Sequence, residues 1–358
     1  MRRFPKDKLL DLCSKIFIDY GYSKDDARSL SDVLIEADMM NVESHGLQRL
    51  ELYCYGIDVG RINVKAKIST VAETPVSATM DADNAIGLLV GKIGMMTAIN
   101  KAKDQGIGIV VIRNSTHYGM AGYYSMLAAK EGFLGISMTN SQALVVPTFG
   151  REAMLGTNPI AITMPGNPLF HLDMATSVCT AGKLELSSKK GVEIPSGWLI
   201  DWDGKTSTNP NDFLKLREKR LLGGILPIGG EGEMLGGYKG YGLGLVVELL
   251  TGILAGSGTS IGVRKTPNKE SVSHLFIAID YGMFGDPREI ERHFSDYLNV
   301  VQNSSKARGA KHIFIPGEKE FRKREDAEKF GVPLIEPTWA KIKEICINHR
   351  VEEINYTS

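Results

Sequence analysis

Cysteine is scarce: Cys13, Cys54, Cys179 and Cys346 are the only four in 358 residues, and no pair has CxxC spacing. A disulfide scaffold and a thiol-ligated zinc site are thereby disfavoured, and reduced thiols in a cytosolic protein are the simplest reading. No charge of one sign dominates. Lys and Arg number 42, Asp and Glu also 42, and the formal net charge is zero. That argues against a nucleic-acid or anionic-membrane partner. The most apolar run, Gly240 to Gly256, has Glu248 near its middle. It is too short for a membrane span, and a buried helix is expected there. The opening Met-Arg-Arg-Phe-Pro-Lys-Asp-Lys leads into an amphipathic segment and not an apolar h-region, so no signal peptide is expected. Several catalytic motifs are also missing. No G-x-G-x-x-G follows a strand-like run, and Gly256-Ser-Gly-Thr-Ser-Ile-Gly262 is misspaced and placed after a helix. A Rossmann fingerprint, a P-loop, an H-E-x-x-H zinc site and a G-x-S-x-G elbow are all absent.

What is present is ordinary globular sequence, 43% hydrophobic and 23% charged, long enough for two lobes. Leu9, Leu10, Leu12, Ile16 and Phe17 predict a helix over residues 6–20, stopped by Gly21. Ser23-Lys-Asp-Asp26 resembles a capping box opening a second helix to about Met40. Strands are expected at Thr70 to Asp81 (broken by Pro75), Ile107 to Arg113, Phe133 to Met138, Ile160 to Met164, Phe170 to Met174 and Leu275 to Asp280. Helices are expected at Leu88 to Gln105, Gly122 to Glu131, Arg288 to Val301, Glu318 to Phe330 and Thr338 to His349. The plan is a mixed α/β fold: an α/β lobe, 71–285, inserted into a helical lobe formed by 1–70 with 286–358.

One stretch concentrates chemistry. Ser44 stands at an expected helix N-cap, with a helix running from there to Gly56. His45, Arg49 and Tyr53 then follow at i, i+4 and i+8 on one face. An imidazole, a guanidinium fork and a phenol are thus stacked along one line. A second histidine, His117 in Arg113-Asn-Ser-Thr-His-Tyr-Gly119, follows a predicted strand, where catalytic groups are often presented.

Asp38-x5-Ser44-His45-Gly46-x2-Arg49-x3-Tyr53 resembles the opening signature of the malate/L-lactate dehydrogenase family that lacks a Rossmann fold. Its members include ureidoglycolate and sulfolactate dehydrogenases and 2,3-diketo-L-gulonate reductase. The resemblance runs from about Leu9 to about Pro333 and takes in the His117 block, Leu155-Gly-Thr-Asn-Pro159, Asp173-Met-Ala-Thr176, Lys239-Gly-Tyr-Gly242 and Pro316-Gly-Glu318. Tyr118 and Glu248 stand where Phe and Asp are common in the family, and the stretch after Gly256 matches least.

The resemblance implies a non-Rossmann nucleotide-binding lobe, with a mixed sheet flanked by helices, beside a helical lobe. It implies homodimers, NAD or NADP as cofactor, and hydride transfer between nicotinamide and a small 2-hydroxy or 2-oxo acid. Malate/oxaloacetate is the first choice, with lactate, sulfolactate or ureidoglycolate as alternatives. Expected cofactor contacts are Ser141, Asp173, Met174, Ala175, Thr176, Lys239, Gly240, Gly317 and Glu318; no metal is expected. Ser44, Arg49 and Tyr53 are assigned to substrate, with the Arg49 fork on its carboxylate. His45 is the expected proton carrier, with His117 as second candidate and Asp173 as a partner that restores proton affinity. The rivals are a non-catalytic binding protein on the same fold and a metal-dependent lyase using His45 and His117.

Overall fold

The computed structural model describes residues 2–266 and 268–354; the last four residues of the expected 286–358 segment lie outside the described residues. At the N-terminus β1 (Arg2–Phe4) is followed by α1 (Lys6–Asp19), α2 (Lys24–Met39) and α3 (Leu50–Asp58). Helix α1 buries Leu9, Leu10, Leu12, Cys13, Ile16 and Phe17, and ends before Gly21, whose φ of 102° is open to glycine alone at little cost. Ser23 caps α2 by accepting from Asp26 N–H at 3.1 Å. The expected helix from Ser44 to Gly56 is shorter. Two 3-10 turns, Glu43–His45 and Leu47–Arg49, precede α3, separated by Gly46 in an extended conformation. The reason lies upstream: the buried Asp38 carboxyl accepts Leu47 N–H at 2.7 Å, holding the second turn from outside.

The sheet elements follow as β2 (Ser69–Glu73), β3 (Ser77–Asp81), α4 (Gly87–Gln105), β4 (Ile107–Ser115), α5 (Ala121–Lys130), β5 (Leu134–Thr139), β6 (Ile160–Met164) and β7 (Phe170–Met174). A second group comprises α6 (Ala181–Lys190), β8 (Leu199–Ile200), β9 (Thr206–Ser207), α7 (Pro210–Lys219) and β10 (Gly224–Ile225). No periodic pattern marks this group. Two-residue strands show no periodicity, although Asn209 before Pro210 is a readable helix start and is the cap of α7. Leu184, Leu199, Phe213 and Ile225 form the small core of this group.

Next come α8 (Gly237–Glu248), a π-helical turn (Leu249–Ile253), β11 (Val272–Ile279), α9 (Pro287–Asn303), α10 (Glu318–Phe330), β12 (Val332–Leu334) and α11 (Glu336–Asn348). Seven strands make one mixed sheet in the order β2-β3-β4-β11-β5-β6-β7. Only β3 and β4 run parallel; every other neighbouring pair is antiparallel. A doubly wound nucleotide fold needs a run of parallel strands, so this sheet is of another kind.

The largest core joins α1, α2, α4 and α5 to one sheet face through Val110, Ile112 and Phe276. The opposite face, with Val111, Met138, Ile160 and Leu275, is covered by Val247 of α8 and Ala255. Both chain ends meet: β1 pairs antiparallel with β12, and Phe4 packs on Trp339 of α11 at 4.4 Å. Arg324 of α10 pairs with the buried Glu36 of α2. Helix α9 lies at the β7 edge, with Phe294 against Phe170 at 5.5 Å.

The expectation of a buried helix for Gly240 to Gly256 is corrected. One side of α8 covers the sheet, but Leu243, Leu245, Val246, Leu249, Ile253 and Leu254 are all exposed. Glu248 is buried beside Val247, accepting from Asn158 Nδ2 at 2.9 Å and from Ser260. Among the described residues no helix is long and apolar enough to cross a membrane.

Candidate active site

The two 3-10 turns and the loop after β4 bring the sequence-predicted histidines together. The rings of His45 and His117 stack at 5.5 Å with 17° between their planes. Ser44 Oγ lies 2.8 Å from His45 Nδ1, and Arg49 Nε–H donates to Ser44 O at 2.6 Å. Arg49 also faces Glu185 of α6 at 3.6 Å, tying the turns to the smaller group. Tyr53 points elsewhere than expected: its buried hydroxyl meets His117 Nδ1 at 2.7 Å. The His117 main chain is held from the far side, donating its N–H to Glu270 Oε2 at 3.1 Å. Arg264 forks onto the other oxygen of that buried carboxylate at 3.1 and 2.7 Å.

A cleft of about 820 Å³ opens beside this pair, lined by Ser44, His45, Asp173, Met174, Ala175 and Gly317 among others. Its volume suits a dinucleotide-sized ligand, since such sites run to roughly 300–1,000 Å³. Asp173 Oδ2 accepts Gly122 N–H, at the start of α5, at 2.8 Å. His171 lies two residues before it on β7, with Nδ1 2.8 Å from Thr163 Oγ1 and its backbone N–H donating to Pro316 O at 3.2 Å. The Pro316-Gly317 turn sits so close to the strand that a Cβ at Gly317 would lie 2.7 Å from His171 Cβ. Lys183 of α6 and Lys319 of α10 also line the cleft.

Compared with known proteins, residues 4–343 match the family described as malate/L-lactate dehydrogenase. The malate dehydrogenase of Pyrococcus horikoshii is 44% identical over 98% of this chain and 96% of that protein. The L-sulfolactate dehydrogenase of Methanocaldococcus jannaschii is 39% identical over 95% and 94%. The crystal structure of malate dehydrogenase from Entamoeba histolytica superposes with a TM-score of 0.95 at 35% identity, covering 98% of this chain and 99% of that one.

The chain belongs to the malate/L-lactate dehydrogenase family.

It is thus an oxidoreductase, a dehydrogenase of 2-hydroxy acids that works with a nicotinamide cofactor. In this dehydrogenase the residues of the sequence-predicted site fall into three groups. Ser44, His45, Asp173, Met174, Ala175 and Gly317 line the cleft. Arg49, His117, Ser141 and Thr176 are not lining residues but each touches one that is, and Tyr53 touches His117. Ser141 Oγ accepts Thr157 N–H at 3.1 Å and Thr176 N–H donates to Thr157 O at 2.9 Å, so together they hold a cleft residue. Lys239, Gly240 and Glu318 are not among the lining residues. Lys239 is exposed with Nζ 5.7 Å from the Tyr238 ring, Gly240 packs against Ile228, and Glu318 accepts from Gln302 Nε2 and pairs with His312. Sequence reasoning missed Glu270 and Arg264, which lie in the stretch least like the family. A buried carboxylate opposite an arginine six residues away has no local signature.

Electrostatics separates the titratable groups. Burial, then the charge of Arg49, pushes His45 down to about 3. Burial first, with His45 and Arg49 next, holds His117 well below the ordinary histidine value. Both rings are therefore neutral near pH 7. The sequence had His45 neutral because of a helix start; the structure reaches the same charge state through desolvation and Arg49. The Asp173 carboxyl moves the other way, raised by burial to about 6 against the Gly122 hydrogen bond.

Proposed function

We propose that this dehydrogenase catalyses the reversible oxidation of malate to oxaloacetate with NAD or NADP. The observation that carries the reading is the stacked His45–His117 pair, in which His45 lines a cleft of dinucleotide dimensions and Arg49 bonds to the adjoining Ser44. The relatives named malate dehydrogenase support the choice of acid.

In the oxidation direction His45 takes the proton of the C2 hydroxyl; a bound nicotinamide would supply the acceptor for the C2 hydride. The hydroxyl becomes the carbonyl of the 2-oxo acid. A neutral imidazole is the form a base requires. The adjacent carboxylate is assigned to Arg49, whose charge acts on both histidines. Lys183, lining the cleft at the start of α6, supplies a cation for the second acidic group of a dicarboxylate. Met174, Ala175 and Gly317 form the cofactor wall, and Lys319 adds a cation near it.

The exposed apolar side of α8 and the π-helical turn after it, from Leu243 to Leu254, supports a homodimer in which that surface is covered. Four free, buried cysteines fit a reducing compartment, the cytoplasm.

The test is purified protein with malate, lactate, sulfolactate and ureidoglycolate, each against NAD and NADP, followed by nicotinamide absorbance. Malate is expected to give the highest kcat/KM. Turnover of none of the four with either cofactor would sink the reading. Light scattering on the eluting protein, with Leu245→Glu as the disrupting variant, decides the dimer.

A further inference from the structure

The two stacked histidines differ in what their Nδ1 atoms are allowed to be. His45 Nδ1 faces the Ser44 hydroxyl, which both donates and accepts, so its tautomer is unconstrained by that contact. His117 Nδ1 faces two groups. The hydroxyl of Tyr53 lies at 2.7 Å, and the backbone N–H of Gly119 points at the same nitrogen at 3.3 Å. A backbone N–H can only donate. A proton on His117 Nδ1 would meet it head-on, so Nδ1 is the acceptor and the Tyr53 hydroxyl joins Gly119 as a second donor. The tyrosine is suited to that part: burial, with Glu270 nearby, raises its pKa and keeps its proton on.

The neutral ring must then carry its proton on Nε2. Among the described residues that nitrogen has no protein hydrogen-bond partner, and the residue is half-buried. The Glu270 carboxylate, itself gripped by Arg264, accepts the His117 backbone N–H and holds the main chain that carries the ring. We propose that Tyr53, with Gly119, is a positioning residue that locks His117 in the Nε2–H tautomer, making His117 a neutral hydrogen-bond donor to the substrate C2 oxygen. His117 in this tautomer cannot take a proton at Nε2, whose lone pair is absent, so the hydroxyl proton goes to His45. A neutral imidazole that polarises a carbonyl in this way is chemically competent. The assignment of the C2 oxygen as the acceptor rests on the 2-hydroxy acid reading above; the tautomer does not.

Selective ¹⁵N-histidine labelling, with His117 assigned by loss of its signals in His117→Gln, reads the tautomer directly without substrate. The expected wild-type spectrum has a pyridine-type Nδ1 and a pyrrole-type Nε2 at His117. A protonated Nδ1 in wild type would overturn the lock outright. Tyr53→Phe keeps the buried ring and removes only the hydroxyl. It is expected to shift His117 towards a tautomer mixture and to lower kcat roughly 10- to 100-fold, the size of one lost hydrogen bond at a reacting group. KM and cofactor affinity are expected to hold within about twofold. Unchanged tautomer and kcat in that variant would remove Tyr53 from the role, and a raised KM with unchanged kcat would return it to the substrate. If wild type turns over no hydroxy acid, the reaction reading fails while the spectrum still answers for the lock.

Discussion

A single methyl group at position 46 tests the geometry that holds the histidine pair. Gly46 has φ −85° and ψ −152°, a conformation within reach of any residue, so glycine is not there for its freedom. It is there for space. A Cβ would lie within 2.5 Å of Oδ1, Cγ and Oδ2 of Asp38. That carboxyl is buried and accepts Leu47 N–H at 2.7 Å, so it cannot retreat without cost. Overpacking costs about 1–3 kcal/mol. Displacing Asp38 leaves a buried N–H unpaired, at about 1–3 kcal/mol more. Gly46→Ala should therefore lose roughly 2–6 kcal/mol in urea unfolding, and kcat/KM should fall as the His45 turn shifts. Shortening Asp38 in the same background opens the space. Asp38→Ala/Gly46→Ala is expected to lose less than the sum of the single variants by about 1 kcal/mol or more. Wild-type stability and activity in Gly46→Ala, or strict additivity in the cycle, would refute the steric argument.

Arg49→Lys keeps a charge but loses the Nε–H bond to Ser44 O and the planar fork; kcat/KM for 2-hydroxy acids should drop roughly 10- to 150-fold. An uncharged amide analogue should lose little further activity in that variant, and wild-type kcat/KM for every acid would place the clamp elsewhere. His45→Gln should lower turnover by about 10²–10⁴-fold with cofactor binding intact, as read by fluorescence titration. A mild His45→Gln beside a severe His117→Gln would move the base to His117. For Asp173 the folded pKa, about 6, lies above the unfolded value of 3.8. The ionised form is therefore disfavoured in the folded state, and stability falls as pH rises from about 4 to 6. Asp173→Asn removes that charge and keeps an oxygen for Gly122 N–H, so it should raise stability above pH 6 by at most about 3 kcal/mol. The gain should shrink towards zero below pH 4; a gain independent of pH would mean Asp173 is not the titrating group.

The sequence by itself determined the long elements, because each reports its own burial. Leu9 to Phe17 repeat at the helical period and form α1, and Gly106 stops α4 where the apolar pattern ends. β6 and β7 fall at Ile160–Met164 and Phe170–Met174, the bounds read from the chain. Motif spacing also carried the family, since signatures spread from Asp38 to Glu318 agree with one another where each alone is weak. The tertiary structure alone decided contacts between residues remote in the chain. Arg49 and Tyr53 do not share a helix face with His45, because Asp38 holds the turn at Leu47 and α3 starts only at Leu50. Tyr53 meets His117 across 64 positions and Glu270 meets it across 153. No local pattern encodes such pairs. Nor could hydrophobicity tell which side of Gly240 to Gly256 faces the sheet and which stays open. A periodic code gives the presence of apolar residues, whereas burial depends on what the rest of the chain lays over them.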